Sequence, residues 1–547
     1  MSQSAFFRLM TGMSALALSL PAMAEPPHLV QQGTARQLQV QGKPMLLIAG
    51  ELGNSSSSSA AYMAPHWKKL RDMHLNTVLA PVQWELLEPV EGKFDFTQVD
   101  NLIRDARANN LKLVFLWFGA WKNSMSTYVP SWVKRDQARF PRAALVNGQE
   151  VEILSAMAPT TLASDQKALA ALMAHIKQVD GKQNTVVMLQ VENEIGMLPV
   201  ARDYGPLAQA AWQGQVPREL TAYLTAHRDS LVPEMKRLWA AQGARTSGTW
   251  AEVFGGGIAA EEVFTAWYYA RFADELTKAG KAAYDLPMYV NVALNRPGRL
   301  PGEYPSGGPL PHLIDVWKAG APSIDMLSPD IYFPNFVDIV NRYKRADNPL
   351  FVPEANNADH PQVAGNAFYA IGQLDAIGFG PFSIESIDDK SGALGAAYDV
   401  LEQLAPHILA AQGLNKMAGF RPKALYDETL LYEPQVAVIG DYRFTVAYAD
   451  IQRPALSSKT AEAGGIIVQI GPEEYLIGGS GVTVTFAPAK DGGGQAGIDS
   501  AWEGRFDSAG QWRAGRLLNG DQTHQGRHIQ IPAGQWQIQR VKFYRYK

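Results

Sequence analysis

Short runs of β-branched and apolar residues recur along most of the chain, and each is followed by a longer stretch with helical spacing. The first run is the second arm of a hairpin expected over residues 37–40 and 45–48. It is turned by Gln41-Gly42-Lys43-Pro44 and continues into Ala49-Gly50-Glu51-Leu52-Gly53. Further runs lie at 75–84, 111–118, 185–191, 286–292, 324–330, 349–353 and 378–385. Continuous apolar runs bounded by turn residues read as strands buried on both faces. Helical spacing predicts helices over 62–73, 96–109, 165–179, 217–241, 259–279, 310–318, 336–343, 363–377 and 392–412. Strands that alternate with helices in this way predict an α/β fold, a (β/α)8 TIM barrel. The serine run 55–59 predicts a loop and helix cap after strand one rather than a linker. The long segments 119–159 and 196–217 predict loops that build a binding site.

From residue 433 the helical spacing stops. Short strands with Gly-rich turns are expected at 436–439, 443–449, 465–470, 475–477, 482–486, 528–531 and 536–543, the pattern of a β-sandwich. The expected organisation is a catalytic barrel over 25–413 and an accessory sandwich over 414–547. The two should pack together, because no flexible linker separates them.

Composition narrows the functional classes. The chain has 547 residues, 46% of them hydrophobic, a net charge of -4 and 19% charged residues. With no dense Lys/Arg run, a nucleic-acid surface is not expected. Residues 1–24 read as a secretory signal peptide: Arg8, an apolar stretch over 9–20, then Ala22-Met23-Ala24 before Glu25. That stretch falls short of the ~20 residues needed to span a bilayer. There are no cysteines, so neither disulfides nor a lipoprotein anchor is available. The expectation is a periplasmic or secreted protein with no membrane anchor once the signal is cleaved.

The candidate chemistry sits at two strand ends. Gln190-Val-Glu-Asn-Glu-Ile-Gly196 follows strand four, and Glu354 follows strand seven. The C-terminal ends of barrel strands form the catalytic face. Glu194 and Glu354 therefore face each other across its mouth. Hydrolysis of a glycosidic bond needs one carboxylic acid to protonate the leaving oxygen and one carboxylate across the ring; in a retaining enzyme they stand ~5 Å apart. Burial and like charge raise one pKa and make that group the acid. Asn193 would donate to a sugar hydroxyl beside the reacting carbon. Trp84, Trp117 and Trp121, at strand ends or the loops after them, are candidates for stacking on a pyranose. Helical spacing assigns Trp267-Tyr-Tyr269 to packing. Asp325 and Asp330 read as structural hydrogen-bonding residues, and Gly255-Gly-Gly257 as a turn. The ten histidines show no metal-ligand spacing; no metal and no cofactor are expected.

The motif Gln190-Val-Glu-Asn-Glu-Ile-Gly196 closely resembles the Gln-Val-Glu-Asn-Glu-Tyr-Gly signature of glycoside hydrolase family 35, the retaining β-galactosidases of clan A. Trp84, Glu88-Pro89, Gly92 and Phe94-Asp-Phe96 match a second segment of that family, and Pro130-Ser-Trp132 a third. Residues 303–310 and 324–332 resemble a bacterial branch that includes xyloglucan side-chain β-galactosidases. The resemblance spans roughly residues 40–400. It implies Glu194 as acid/base, Glu354 as nucleophile, Asn193 at the galactose 2-hydroxyl and Tyr332 hydrogen-bonded to the nucleophile. One departure stands out: better-known members carry Cys-Ala-Glu-Trp after strand three, whereas this chain reads Trp117-Phe-Gly-Ala-Trp-Lys-Asn123. Glu85, beside Trp84, is the candidate to replace the missing carboxylate. The expected activity is a retaining exo-β-galactosidase acting on plant-derived oligosaccharides. A β-glucosidase, an α-L-arabinopyranosidase and a non-catalytic carbohydrate-binding protein on a hydrolase scaffold remain open, as does the oligomeric state.

Overall fold

The computed structural model describes residues 25–387, 393–448, 462–490 and 492–547. The signal peptide expected over 1–24 lies outside the described residues. Eight parallel strands form the barrel: β1 (Leu47–Glu51), β2 (Thr77–Gln83), β3 (Lys112–Phe118), β4 (Val186–Gln190), β5 (Met288–Ala293), β6 (Met326–Ile331), β7 (Glu354–Ala355) and β8 (Gly378–Phe379). They pair in chain order, and β8 pairs with β1. The circle closes where Ile377 N–H donates to Leu350 O at 2.8 Å and Gly380 N–H to Val352 O at 2.9 Å.

The inward faces explain both the core and the site. Successive side chains alternate between faces of a strand. On the inner face Leu47 and Ala49 precede Glu51, Tyr289 precedes Asn291, and Met326 and Ser328 precede Asp330. Leu47, Ala49, Leu79, Val114, Leu116, Tyr289, Met326 and Phe351 fill one buried cluster, with Leu38 and Val40 from the N-terminal segment packed against it. These three inward rows thus run from apolar to polar toward the strand's C-terminal end, whereas that of β3, Val114-Leu116-Phe118, stays apolar. The outward faces (Ile48, Val78, Phe115, Leu189, Val290 and Leu327 among them) belong to the larger cluster shared with the helices.

Several elements differ from expectation for local reasons. The hairpin is a three-stranded antiparallel sheet (His28–Gln32, Ala35–Val40, Lys43–Met45), because residues 47 and 48 are already committed to the barrel. Gln41 and Gly42 have φ of 53° and 72°, the geometry of a tight two-residue hairpin turn. The helix expected over 217–241 is two, Arg218–Ala226 and Pro233–Ala241, since Pro233 cannot continue a preceding helix. Strand eight is shorter than expected: beyond Phe379 the pairing is reduced to isolated bridges at Phe382, and a 3-10 turn, Ile384–Ser386, follows. The serine run is a loop and cap, with Ser59 accepting from Tyr62 N–H at 3.2 Å.

The last helix of the barrel region is Ala393–Ala411. Beyond it a six-stranded and a four-stranded antiparallel sheet enclose a second core that includes Ile439, Phe444, Ile467, Tyr475, Val541 and Phe543. Three of these strands, Gln495–Phe506, Trp512–Leu517 and Met417–Phe420, were not expected. Register shifts at Ile498/Ser500 and Trp502/Gly504 break the period of two that would have revealed the first. The sheets lie directly on helix Val363–Leu374. A Cβ on Gly372 would stand 2.9 Å from Gly419 Cα, so glycine is what permits this approach.

Candidate active site

Parallel pairing brings the first two carboxyl groups together. Asp330 on β6 is in register with Glu354 on β7, so both side chains leave the barrel wall on the same side. Glu194 arrives from the loop after β4. One carboxylate oxygen each from Glu194, Asp330 and Glu354 lie within 4.8 Å of one another. These three are close enough to share a cation, and the cation that the chain itself supplies nearby is the Lys122 ammonium.

The loop that carries Glu194 is held in an uncommon conformation. Glu192 and Glu194 have φ of 59° and 46°, a left-handed region that costs a side-chain-bearing residue ~1–2 kcal/mol. Contacts on every side impose it. The Glu192 carboxyl accepts from Ala120 N–H at 3.2 Å and Trp121 N–H at 2.8 Å. Asn123 N–H donates to Asn193 O at 3.2 Å, and Ser124 N–H to Glu194 O at 3.1 Å. From β5, Asn291 Oδ1 accepts from Glu194 N–H at 2.9 Å, while Asn291 Nδ2 donates to Asp330 Oδ2 at 2.6 Å. Asn291 therefore ties Glu194 and Asp330 into one unit. Gly119 permits the crossing of the two loops: a Cβ there would meet Trp117 Nε1 at 2.3 Å and Glu192 Oε1 at 2.6 Å.

The two candidate reacting carboxyls have different surroundings. Burial, and then the charge of Glu354, push the Glu194 carboxyl up to about 7, with Lys122 and a bond to Asp330 opposing. Asn123 Nδ2 also donates to Glu194 Oε2, and Lys122 Nζ holds Asn123 Oδ1 at 2.5 Å. Burial also holds the Glu354 carboxyl above its ordinary range, with Lys122 and the Tyr332 hydroxyl opposing. Tyr332 Oη donates to Glu354 Oε1. The pair thus sets a Glu194 carboxyl poised near neutrality beside a Glu354 carboxyl that accepts from the Tyr332 hydroxyl; two carboxyls in different surroundings can divide the roles of acid and nucleophile. Burial and the surrounding carboxylates hold Asp330 and Glu51 well above the usual carboxylate range.

The other expected site residues are distributed as follows. Asn193 is fully buried beside Glu194, and neither polar atom of its side-chain amide has a partner among the described residues. Tyr332 is 41% exposed and leans on Phe382 at the mouth. Glu85 stands apart from the carboxyl group, paired with Lys134 Nζ at 2.9 Å. Trp84, Trp117 and Trp121 are fully enclosed. Trp84 packs against Trp117 and Trp132 and donates to Glu88 at 3.0 Å; Trp121 packs against Tyr269 and Phe272 and donates to Leu154 O at 3.1 Å. In this arrangement the three indoles support the site loops and present no open ring face to a sugar. Asp325 is structural, bonded to Lys281 Nζ and Met288 N–H, whereas Asp330 belongs to the carboxyl group itself. Sequence reasoning missed Glu51, Lys122, Asn123 and Asn291 as site residues. The signal for Glu51 and Asn291 is their place in the inward rows, at or near the strand's end. Lys122 and Asn123 lie in an irregular loop and leave no such signal.

Comparison with known proteins corrects the family expectation. Residues 57–254 match a model of glycoside hydrolase family 42, described as Beta-galactosidase, and residues 394–530 match a Domain of unknown function (DUF5597). A β-galactosidase of Xanthomonas manihotis is 29% identical over 194 residues, which is 33% of this chain and 29% of that protein. Among solved structures, β-galactosidase from the psychrophilic Marinomonas ef1 covers 69% of this chain and 62% of its own, at 11% identity and a TM-score of 0.46. The polyextremophilic β-galactosidase from the Antarctic haloarchaeon Halorubrum lacusprofundi covers 65% and 58%, at 15% identity and a TM-score of 0.43. The chain spans less than a third of its curated relative and under two thirds of these structures. Family 35 is therefore not the family whose model matches. The matched segment includes both the strand-four motif and the Trp84–Phe96 segment that suggested family 35. An Asn-Glu pair at a barrel strand's end answers to the chemistry of the site, so it does not discriminate between families that share that chemistry.

Proposed function

We propose that this chain is a retaining exo-β-galactosidase. The observation that carries the reading is the separation of Glu194 and Glu354, whose carboxylate oxygens lie within 4.8 Å. That spacing is nearer the ~5–5.5 Å of retaining enzymes than the ~6.5–9.5 Å that inverting enzymes leave for a water. In the first step the Glu194 carboxyl gives its proton to the glycosidic oxygen, and Glu354 attacks the anomeric carbon. The aglycone leaves as an alcohol, and the sugar stays on Glu354 as an ester. In the second step Glu194, now a carboxylate, takes a proton from water; the water oxygen attacks the same carbon and frees Glu354. The Asn193 amide, without a partner among the described residues, would bond a hydroxyl beside that carbon. Tyr332 keeps one Glu354 oxygen fixed.

The choice of galactose is supported by the description of the family model over 57–254 and by the name of the matched relative. The xyloglucan expectation had only the family-35 branch behind it and does not enter the proposal. The proposal does include export to the periplasm or beyond, supported by the pattern over residues 1–24; an N-terminus at Glu25 in the mature protein tests it. The activity is tested by release from aryl β-D-galactoside, with β-D-glucoside and α-L-arabinopyranoside alongside and Glu354→Gln as control. Preference for the galactoside, abolished in the variant, supports the reading. Preference for another sugar overturns the specificity, and turnover that survives in the variant overturns the mechanism.

A further inference from the structure

Glu51 has no part in the steps above. It closes β1, where its N–H donates to Pro381 O at 2.8 Å, and its side chain is fully buried. Among the described residues no N–H or hydroxyl group donates to either of its carboxyl oxygens. Glu354 Oε2 is likewise buried with no partner among the described residues, and the Glu51 carboxyl faces that group. The titratable groups around it are Glu354 from β7, Glu194 from the loop after β4, Asp330 from β6, Lys122 from the loop after β3, Tyr289 from β5 and Tyr332 after β6. An ionised carboxylate buried without a donor is heavily penalised. Two ionised carboxylates in contact add like-charge repulsion. A contact between two carboxyls is attractive only when a proton lies between them.

We infer that Glu51 is a positioning residue that stays un-ionised and donates its proton to the Glu354 carboxylate, so that Tyr332 and Glu51 together hold the nucleophile in one orientation. The catalytic importance of this contact rests on the hydrolase reading; the shared proton does not. Charge balance agrees with it. Lys122 is a cation that acts on all four carboxyls, and a proton on Glu51 removes one negative charge from the group it must offset. Burial first, and then the charge of Glu354, hold the Glu51 carboxyl well above its ordinary range. When Glu354 becomes a sugar ester its carbonyl oxygen still accepts a bond, so the Glu51 proton needs no new partner.

Two readouts test this in the full chain. Glu51→Gln keeps a donor, so kcat/KM falls only about tenfold and the acid limb of its pH profile stays in place. Glu51→Ala removes the donor, so kcat/KM falls ~10²–10³-fold and the acid limb moves to higher pH. The second readout is thermal unfolding. A carboxyl whose folded pKa is raised contributes stability that is full below the unfolded value and is lost as pH rises toward the folded one. Gln does not titrate, so Glu51→Gln should have a higher Tm than the parent at pH 8 and no such gain at pH 5. A lower Tm at pH 8, or a gain equal at both pH values, would show that Glu51 is not a protonated partner. If Glu51→Ala fails to fold, the Gln comparison decides alone. If the parent cleaves no glycoside, the hydrolase reading fails, while the Tm comparison still decides whether Glu51 holds the proton.

Discussion

Replacing Tyr332 with Phe removes one hydroxyl from the proposed nucleophile and leaves the ring. Tyr332 Oη donates to Glu354 Oε1. Burial and the Glu354 charge hold the phenol far above its usual range, so it remains a donor at every working pH. A hydrogen bond to a charged group contributes ~1.5–3 kcal/mol. Because Tyr332 is 41% exposed, water takes part of that role and the lower end applies, which corresponds to about one pH unit. Glu354 must be ionised to attack, and losing a donor raises its pKa. The acid limb of kcat/KM should therefore move up by about one unit, while the alkaline limb, set by Glu194 near 7, stays in place. The bell narrows from its acid side and its maximum falls by roughly tenfold. The assay is kcat/KM for an aryl galactoside from pH 4 to 9. An acid limb that stays still, or moves to lower pH, refutes the assignment of Tyr332 as a donor to an ionised nucleophile.

Other outcomes follow from the same geometry. Asn123→Ala removes the side-chain donor to Glu194 Oε2; the alkaline limb should rise by up to ~1 unit, read from the same pH profiles. Gly119→Ala places a methyl 2.3 Å from Trp117 Nε1 and 2.6 Å from Glu192 Oε1, so it should destabilise by ~1–3 kcal/mol and lower kcat, measured by thermal unfolding and turnover. Asp165 and Glu192 form a second buried carboxyl pair, with Asp165 pushed up to about 6 chiefly by burial. Both folded pKa values are raised, so the stability they contribute is full below ~4 and declines as pH rises through 6. Asp165→Asn should flatten the fall in Tm between pH 5 and 8.

Much of this was legible because a parallel barrel requires strands buried on both faces, and their apolar runs are hard to mistake. Glu194 and Glu354 stood out because each follows such a run at once. What hid the rest was the third dimension. Asp330 looked structural until its register with Glu354 placed both on one side of the wall. Glu51 was one letter in a strand until the inward row Leu47-Ala49-Glu51 gave it a direction. The indoles at 84, 117 and 121 fall where a sugar platform would be expected, yet neighbouring rings enclose them. Lys122 and Asn123 lie in a loop whose path is fixed by contacts with the strand-four loop, which no local pattern reveals. In the sandwich, the β-bulges of Gln495–Phe506 erased the alternation that marks a strand.

The central claim is that Glu354 attacks the sugar while Glu194 carries the proton. The most direct measurement is mass spectrometry of the protein after reaction with a 2-deoxy-2-fluoro-β-galactoside bearing a good leaving group, which slows release of the ester. The expected result is one added fluorogalactosyl group, located on the peptide containing Glu354 and absent in Glu354→Gln. An adduct on another carboxylate, or an active enzyme that accumulates none, would contradict it.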